Sequence, residues 1–182
     1  MPKHTILIVD DERNILNSLS RLLQEEERQI LTVSSAEEAW EIIKKSGGVD
    51  LVISDNRLPA MSGIEFLAKV RQVHSDTIRM LITGYPDLES AVAAINKGQV
   101  YRYILKPWEN DELKLLVKQA LDYYDVLRDN RSLLHIARQQ ADYLASIRKQ
   151  FPQIPFPKEG LYEVDTNKVS QELAELLKKY SA

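Results

Sequence analysis

Five side chains with complementary chemistry stand at the ends of short apolar runs that have the length and composition of β-strands. Two adjacent acids, Asp10 and Asp11, follow TILIV, and Asp55 ends DLVISD. The hydroxyl of Thr83 ends TIRMLIT, and the amine of Lys106 ends YRYILK. If these runs are parallel strands, their carboxyl ends meet at one edge of a sheet, where sites form in doubly wound folds. We therefore expect three carboxylates, a hydroxyl and an amine to converge there.

This set of groups favours phosphoryl chemistry. Clustered carboxylates repel one another unless a cation neutralises them. Mg²⁺ prefers oxygen ligands and keeps open positions for phosphate oxygens. A carboxylate can attack phosphorus and form an acyl phosphate, while a metal ion, an ammonium and a hydroxyl stabilise the transferred group. Simpler interpretations remain open: Asp10 or Asp11 caps the first helix, Thr83 only ends a strand, and Lys106 lies on the surface.

Amphipathic helical stretches separate the apolar runs, so strands and helices alternate along the chain. This alternation predicts parallel strands joined by right-handed crossovers. We expect an α/β fold with a five-stranded parallel doubly wound sheet, of the flavodoxin-like kind, over residues 3–121. The predicted helical faces contain, in chain order, Ile15, Leu19, Leu22 and Leu23; Ala36, Ala39, Trp40 and Ile43; Ile64, Leu67 and Ala68; and Leu88, Ala91, Val92 and Ile95.

Four motifs in this order and spacing resemble the response-regulator receiver domain of two-component signalling: LIVDDE, VISDNRLPAMSG, LITGY and YRYILKPW. The resemblance covers about two thirds of the chain. It implies that Asp55 is the phosphoacceptor for a histidine kinase or a phosphotransfer protein. It also implies that Mg²⁺ is bound by Asp10, Asp11, Asp55 and the backbone carbonyl of Arg57, with Asp11 the more direct ligand of the acidic pair.

The same resemblance assigns roles to residues on the last two strands. Thr83 matches the switch hydroxyl, Tyr103 the switch aromatic, and Lys106 the phosphate-contacting lysine. The bond between Lys106 and Pro107 matches a cis peptide of the family, and Gly84 would leave space for the phosphoryl group. Tyr103 has a simpler interpretation as a packing residue. The chain would then be a switch that catalyses only its own phosphorylation and dephosphorylation, and not an enzyme in the usual sense.

The chain after the last strand is expected to carry the output. Residues 122–150 extend the fifth predicted helix, residues 151–160 form a Pro-rich linker, and residues 161–182 form a terminal amphipathic helix. A heptad pattern in the long helix favours a parallel coiled-coil homodimer. The alternatives are a helix that folds back on its own receiver or forms a hairpin with the terminal helix. The two predicted seam rows are Leu113, Ala120, Leu127, Leu134 and Ala141, and Leu116, Tyr123, Asn130, Ala137 and Leu144.

Composition limits the classes of partner and compartment. The 182 residues include no cysteine and have a net charge of −3. The start of the chain carries no apolar run of membrane-spanning length and no secretion signal. We expect a cytoplasmic protein with no membrane and no nucleic-acid partner, since acids and bases balance from Ala120 onward. His4, His74 and His135 show no ligand spacing and are expected at the surface or on helices.

Three functions compete. The first is a phosphorylation-activated regulator that signals through dimerisation or through an unknown downstream protein. The second is an aspartate-nucleophile phosphohydrolase on a similar fold, although that class prefers two acids separated by one residue and Asp10 and Asp11 are adjacent. The third is a regulator whose enzymatic output domain is missing from this chain. The YRYILKPW ending resembles receivers that are often joined to cyclic-dinucleotide phosphodiesterases or other enzymatic outputs.

Overall fold

The computed structural model describes residues 4–84 and 100–151. The fourth predicted helical face, most of the Pro-rich linker and the terminal helix lie outside these residues. Strands and helices alternate in the order β1 (His4–Val9), α1 (Arg13–Leu23), β2 (Arg28–Val33), α2 (Ala36–Ser46), β3 (Leu51–Asp55), α3 (Gly63–Val73), β4 (Ile78–Thr83), β5 (Arg102–Leu105) and the long helix α4 (Asn110–Gln150).

The five strands form one parallel sheet in the order β2-β1-β3-β4-β5. Chain order reverses between β1 and β3, which is the switch point of a doubly wound fold. The predicted five-stranded flavodoxin-like sheet is therefore confirmed. The register aligns the carboxyl ends of the strands, since Val9 pairs with Ser54, Asp55 with Ile82, and Thr83 with Leu105. This alignment brings the predicted site residues to one edge of the sheet.

Two apolar layers cover the sheet. One face packs against α1 and α4, and the other packs against α2 and α3. Every residue of β3 and β4 is buried, as expected for strands covered on both faces. β5 lies at the sheet edge and is partly exposed. Buried apolar side chains therefore anchor the central strand that ends at Asp55, since each buried methylene contributes about 0.8 kcal/mol.

Capping side chains set the helix starts. Ser35 caps α2 by accepting a hydrogen bond from the Glu38 N–H. Ser62 and Glu65 form a capping box at the start of α3, which follows the turn after Asp55. The N-cap residue of α1 is Glu12, so neither acid of the adjacent pair occupies that cap.

The chain divides into two compact units, and the boundary between them falls within the long helix, after Leu127. In the first unit, Leu113 and Ala120 are buried in the core next to α1. The prediction that they belong to a free coiled-coil seam is therefore wrong for these two residues. Heptad periodicity was the correct signal for an apolar face, but the sheet covers the first part of that face. Seam residues beyond the boundary, such as Leu134 and Leu144, are partly exposed.

His4 also departs from expectation. It is buried on β1, with 7% of its surface exposed, and is neither a surface residue nor a helical one. His135 is exposed on α4, and His74 is the C-cap residue of α3. Across the part of the chain that the structure describes, no helix is both long enough and apolar enough to cross a membrane.

Gly63 permits a close approach between α3 and the end of β3. A Cβ atom at this position would lie 2.0 Å from the backbone oxygen of Asp55 and 3.0 Å from the Cα atom of Asn56. The Gly63 N–H donates to the Asn56 carbonyl over 2.9 Å. Because the opposing atoms are backbone, they cannot rotate away, and any side chain must push Asp55 from its place.

We therefore predict that Gly63→Ala lowers the free energy of unfolding by about 1–3 kcal/mol, the usual cost of overpacking. Gly84→Ala is the matched control, since among the described residues its Cβ would meet only Lys106 Cβ at 3.9 Å, an ordinary contact. Urea denaturation of both variants measures the difference. Equal stability of the two variants would contradict this account of the turn.

Candidate functional site

One ammonium group joins two buried carboxylates at the carboxyl edge of the sheet. Lys106 Nζ lies 2.8 Å from Asp10 Oδ2 and 2.7 Å from Asp55 Oδ1. Only 2% of Asp10 and 7% of Asp55 is exposed. The three residues come from the ends of β1, β3 and β5, so the convergence predicted from strand ends is observed for this trio.

Backbone hydrogen bonds fix each member of the trio. The Asp10 N–H donates to the Val33 carbonyl over 3.3 Å, which continues the ladder between β1 and β2. The Lys106 N–H donates to the Thr83 carbonyl over 2.8 Å, which ties the end of β5 to β4. The Arg57 N–H donates to Asp55 Oδ2. The carboxylate of Asp55 is thus held by the turn that follows it as well as by the ammonium.

Burial and charge set the proton affinities of this trio. Burial raises the pKa of Asp10, and the nearby charge of Asp55 adds to the rise. The hydrogen bonds from Lys106 and from the Glu12 N–H offset only part of it. Burial alone would lower the pKa of Lys106, but its hydrogen bonds to Asp10 and Asp55 outweigh that cost and the pKa is raised. Lys106 is therefore a cation at neutral pH.

The other predicted residues occupy the same region of the fold. Thr83 ends β4 and is buried, with 2% of its surface exposed. Tyr103 lies on β5 opposite Leu81 and packs against the layer formed with α2 and α3. The peptide bond between Lys106 and Pro107 is cis, as the resemblance implied. The switching roles of Thr83 and Tyr103 stay predictions.

The donor atoms at this edge can be compared with the ligands that a metal ion prefers. Carboxylate oxygens are the ligands that Mg²⁺ prefers, and each can accept more than one contact. Asp10 and Asp55 therefore suit the ion in type, although Lys106 and backbone N–H groups already contact them. Asp11 is exposed beside them. Within residues 4–84 and 100–151, no three Asp, Glu, His or Cys side chains are already arranged to hold a metal ion.

Glu12 is a site residue that the sequence interpretation did not single out. Its carboxylate Oε1 lies 3.8 Å from Lys106 Nζ, and its backbone N–H donates to Asp10 Oδ1 over 2.9 Å. Because 67% of the side chain is exposed, water screens this third ion pair more than the other two. The sequence feature that could have indicated Glu12 is the run of three consecutive acids after β1.

The sequence motifs that contain these site residues identify the family by their order along the chain. The response regulator receiver domain pattern matches residues 6–118, which include all the site residues named above. The chain belongs to the response regulator receiver domain family. The match covers well over half of the 182 residues.

Curated relatives of this receiver domain are larger regulators. The hydrogenase transcriptional regulatory protein HoxA of Cupriavidus necator is 42% identical over 118 residues, which are 65% of this chain and 24% of HoxA. The DNA-binding transcriptional regulator NtrC of Escherichia coli is 29% identical over 133 residues, which are 73% of this chain and 28% of NtrC. The chain thus spans about a quarter of the length of the curated relatives it matches.

Solved receiver domains have the same fold. The signal receiver domain of an HD domain-containing protein from Pseudomonas fluorescens Pf-5 is 39% identical, with a TM-score of 0.67, and covers 71% of this chain and 94% of that one. The beryllofluoride-activated NtrC4 receiver domain dimer is 32% identical, with a TM-score of 0.61, and covers 66% of this chain and 98% of that one. These likenesses confirm the fold and the family.

The raised pKa of Asp10 generates a stability prediction. Folding raises the pKa of the Asp10 carboxyl above 3.8, the value in the unfolded chain. Such a group contributes less to stability as the pH rises from the pKa of the unfolded state through the pKa of the folded state. Asp10→Asn removes this cost, so we expect a higher free energy of unfolding near neutral pH. The gain should shrink toward pH 4 and vanish below it.

Urea denaturation at neutral and acidic pH measures this change. Asp11→Asn is the matched control, because Asp11 is the neighbouring acid and is exposed. Its stability should follow the wild-type protein at both pH values. A loss of stability in Asp10→Asn at neutral pH would show that the ion pair with Lys106 outweighs burial.

Proposed function

We propose that this chain is a phosphorylation-activated response regulator that accepts a phosphoryl group on Asp55 from a histidine kinase or a phosphotransfer protein. The observation that carries the proposal is the shared ammonium, since Lys106 Nζ contacts both Asp55 Oδ1 and Asp10 Oδ2. Family membership supports two-component signalling as the context. The chain itself would act as a switch that turns over only its own phosphoryl group.

In the proposed reaction, a carboxylate oxygen of Asp55 attacks the phosphorus atom. A bond forms between that oxygen and phosphorus, and the bond between phosphorus and the donor nitrogen breaks, so the product is an acyl phosphate. Lys106 is placed to neutralise charge that develops on the phosphoryl oxygens. The hydroxyl of Thr83 would contact the phosphoryl group, and Tyr103 would change position with it.

The proposed cofactor is Mg²⁺. Asp10, Asp11, Asp55 and the backbone carbonyl of Arg57 would hold the ion, which supplies positive charge opposite the incoming phosphoryl oxygens. Support comes from the convergence of Asp10 and Asp55, whose carboxylates both lie within 2.8 Å of Lys106 Nζ. The chain's own residues orient the nucleophile: the Arg57 N–H and the Lys106 ammonium each contact a different oxygen of Asp55.

The output is proposed to pass through α4. We infer a receiver over residues 3–121, an extended helix over 122–150, a linker over 151–160 and a terminal helix over 161–182. The second part of the long helix carries seam residues whose partial exposure supports dimerisation as a parallel coiled coil. The beryllofluoride-activated NtrC4 receiver domain was solved as a dimer in solution. An unknown downstream protein is the alternative recipient of the signal.

The remaining expectations about partners stay predictions. We propose a cytoplasmic protein, since the relatives are transcriptional regulators. The expected lack of a nucleic-acid partner concerns this chain. NtrC, in contrast, is named as a DNA-binding regulator, and the matched region is only 28% of its length. A regulator whose output domain is missing from this chain fits that difference in length.

We predict that Asp55→Asn abolishes covalent phosphate incorporation from a small-molecule phosphodonor with Mg²⁺, because an amide cannot form the acyl phosphate. Asp76→Asn, at an acid outside the site, should be labelled like the wild-type protein. Intact-protein mass spectrometry measures the modification. Continued labelling of Asp55→Asn would refute the assignment, and continuous release of phosphate over many turnovers would favour the phosphohydrolase.

We predict that Leu134→Glu prevents dimerisation of the full chain, because it places a charge at a seam position of α4. Gln139→Glu is the matched control, since it adds the same charge at an exposed position on the opposite side of the heptad. Light scattering before and after addition of Mg²⁺ and beryllofluoride gives the mass. A wild-type protein that stays monomeric in both conditions would contradict the dimer and favour a separate partner.

A further inference from the structure

A second cluster of ionisable groups lies at the opposite edge of the sheet, at the start of β1. His4 Nδ1 is 3.6 Å from Asp50 Oδ2, and His4 Nε2 is 3.7 Å from Asp125 Oδ2. The imidazole is 8% exposed, and the two carboxylates are 18% and 17% exposed. His4 thus lies between the turn that precedes β3 and the long helix α4.

Asp50 and Asp125 are the two acids whose carboxylate oxygens lie within 4 Å of the His4 ring nitrogens in the described residues, and several other groups surround them. The backbone N–H of His4 donates to the Glu27 carbonyl over 3.1 Å, and Tyr124 packs edge-on against the His4 ring at 6.4 Å. The Asp50 Oδ2 atom also accepts the Thr5 N–H over 2.8 Å. Other charged groups lie beside His4 on β2, α4 and the turn before β2: Glu25, Glu27, Arg28, Lys114, Lys118 and Asp122. Arg28 is itself paired with Glu25 at 2.8 Å.

The charge state of His4 decides how many of these contacts it can make. A neutral imidazole has one N–H and can donate to one carboxylate, whereas an imidazolium has two and can serve both. Within the described residues, His4 Nδ1 is a buried atom with no hydrogen-bond partner. Both nitrogen–oxygen distances exceed those of a short hydrogen bond, so the attraction depends chiefly on charge. Histidine side chains in general change charge between about pH 5 and 8.

We propose that His4 is a protonation-dependent clamp that holds α4 to the sheet. As an imidazolium it bridges Asp50 and Asp125, and as a neutral ring it releases one of them. Asp125 lies two residues before Leu127, where the first compact unit ends within the helix. The clamp therefore acts within the first unit, close in sequence to its boundary in the long helix. It makes the output helix sensitive to pH independently of Asp55, which lies at the other end of β3.

A double-mutant cycle tests the clamp in the full chain without a phosphodonor. The wild-type protein, His4→Gln, Asp125→Asn and the double variant are unfolded with urea at about pH 5.5 and at about pH 8.5. We expect the two positions to be coupled by about threefold to tenfold in the folding equilibrium constant at the lower pH, and by less than twofold at the higher. His135→Gln, at an exposed histidine of the same helix, should show no coupling with Asp125→Asn.

Nuclear magnetic resonance of the wild-type chain supplies a test that needs no variant to fold. The sequence has only three histidines, so the ring signals of His4 can be followed across the same pH range. The backbone amides of Asp125 and Leu127 should shift with the same midpoint as the His4 ring. A His4 ring that does not titrate in this range, amides that stay constant, or a pH-independent coupling would each overturn the clamp.

Discussion

The contact of one lysine with two carboxylates is the interaction on which the site depends. Lys106 Nζ lies within 2.8 Å of both Asp10 and Asp55 in a buried environment, where two carboxylates alone would repel each other. The ammonium sets one positive charge between the two carboxylates and so reduces their mutual repulsion. It also leaves the edge of the site with more negative than positive charge, which is the condition that favours a divalent cation.

The packing of the sheet places the strand ends so that Lys106 contacts both carboxylates. β3 and β4 are buried along their whole length, so their register is strongly fixed, and a slip of one residue would turn Asp55 to the other face. Gly63 then allows α3 to start against the backbone of Asp55. The positions of the acids therefore follow from apolar packing, and their chemistry follows from what the packing brings together.

Strand ends were predictable from the sequence because their side chains interrupt continuous apolar runs. Asp55 and Lys106 were predicted in this way, and the structure joins them directly. The end of the sheet where strands begin offered no such signal: His4 stands at the first residue of β1, and its partner Asp125 is far away in sequence. Only the folded topology brings that pair together. Heptad periodicity likewise identified an apolar face on α4 but could not tell which part of it the sheet covers, as at Leu113.

We propose that the ammonium of Lys106 and the carboxylate of Asp55 form one phosphoryl-binding site. Fluorine-19 magnetic resonance of the full chain with Mg²⁺ and beryllofluoride tests this directly, because bound fluorides give signals separate from the free ion. We expect bound signals for the wild-type protein and their loss in Lys106→Met, while Lys114→Met, at an exposed lysine of α4, keeps them. Equal binding by Lys106→Met and the wild-type protein would contradict this proposal.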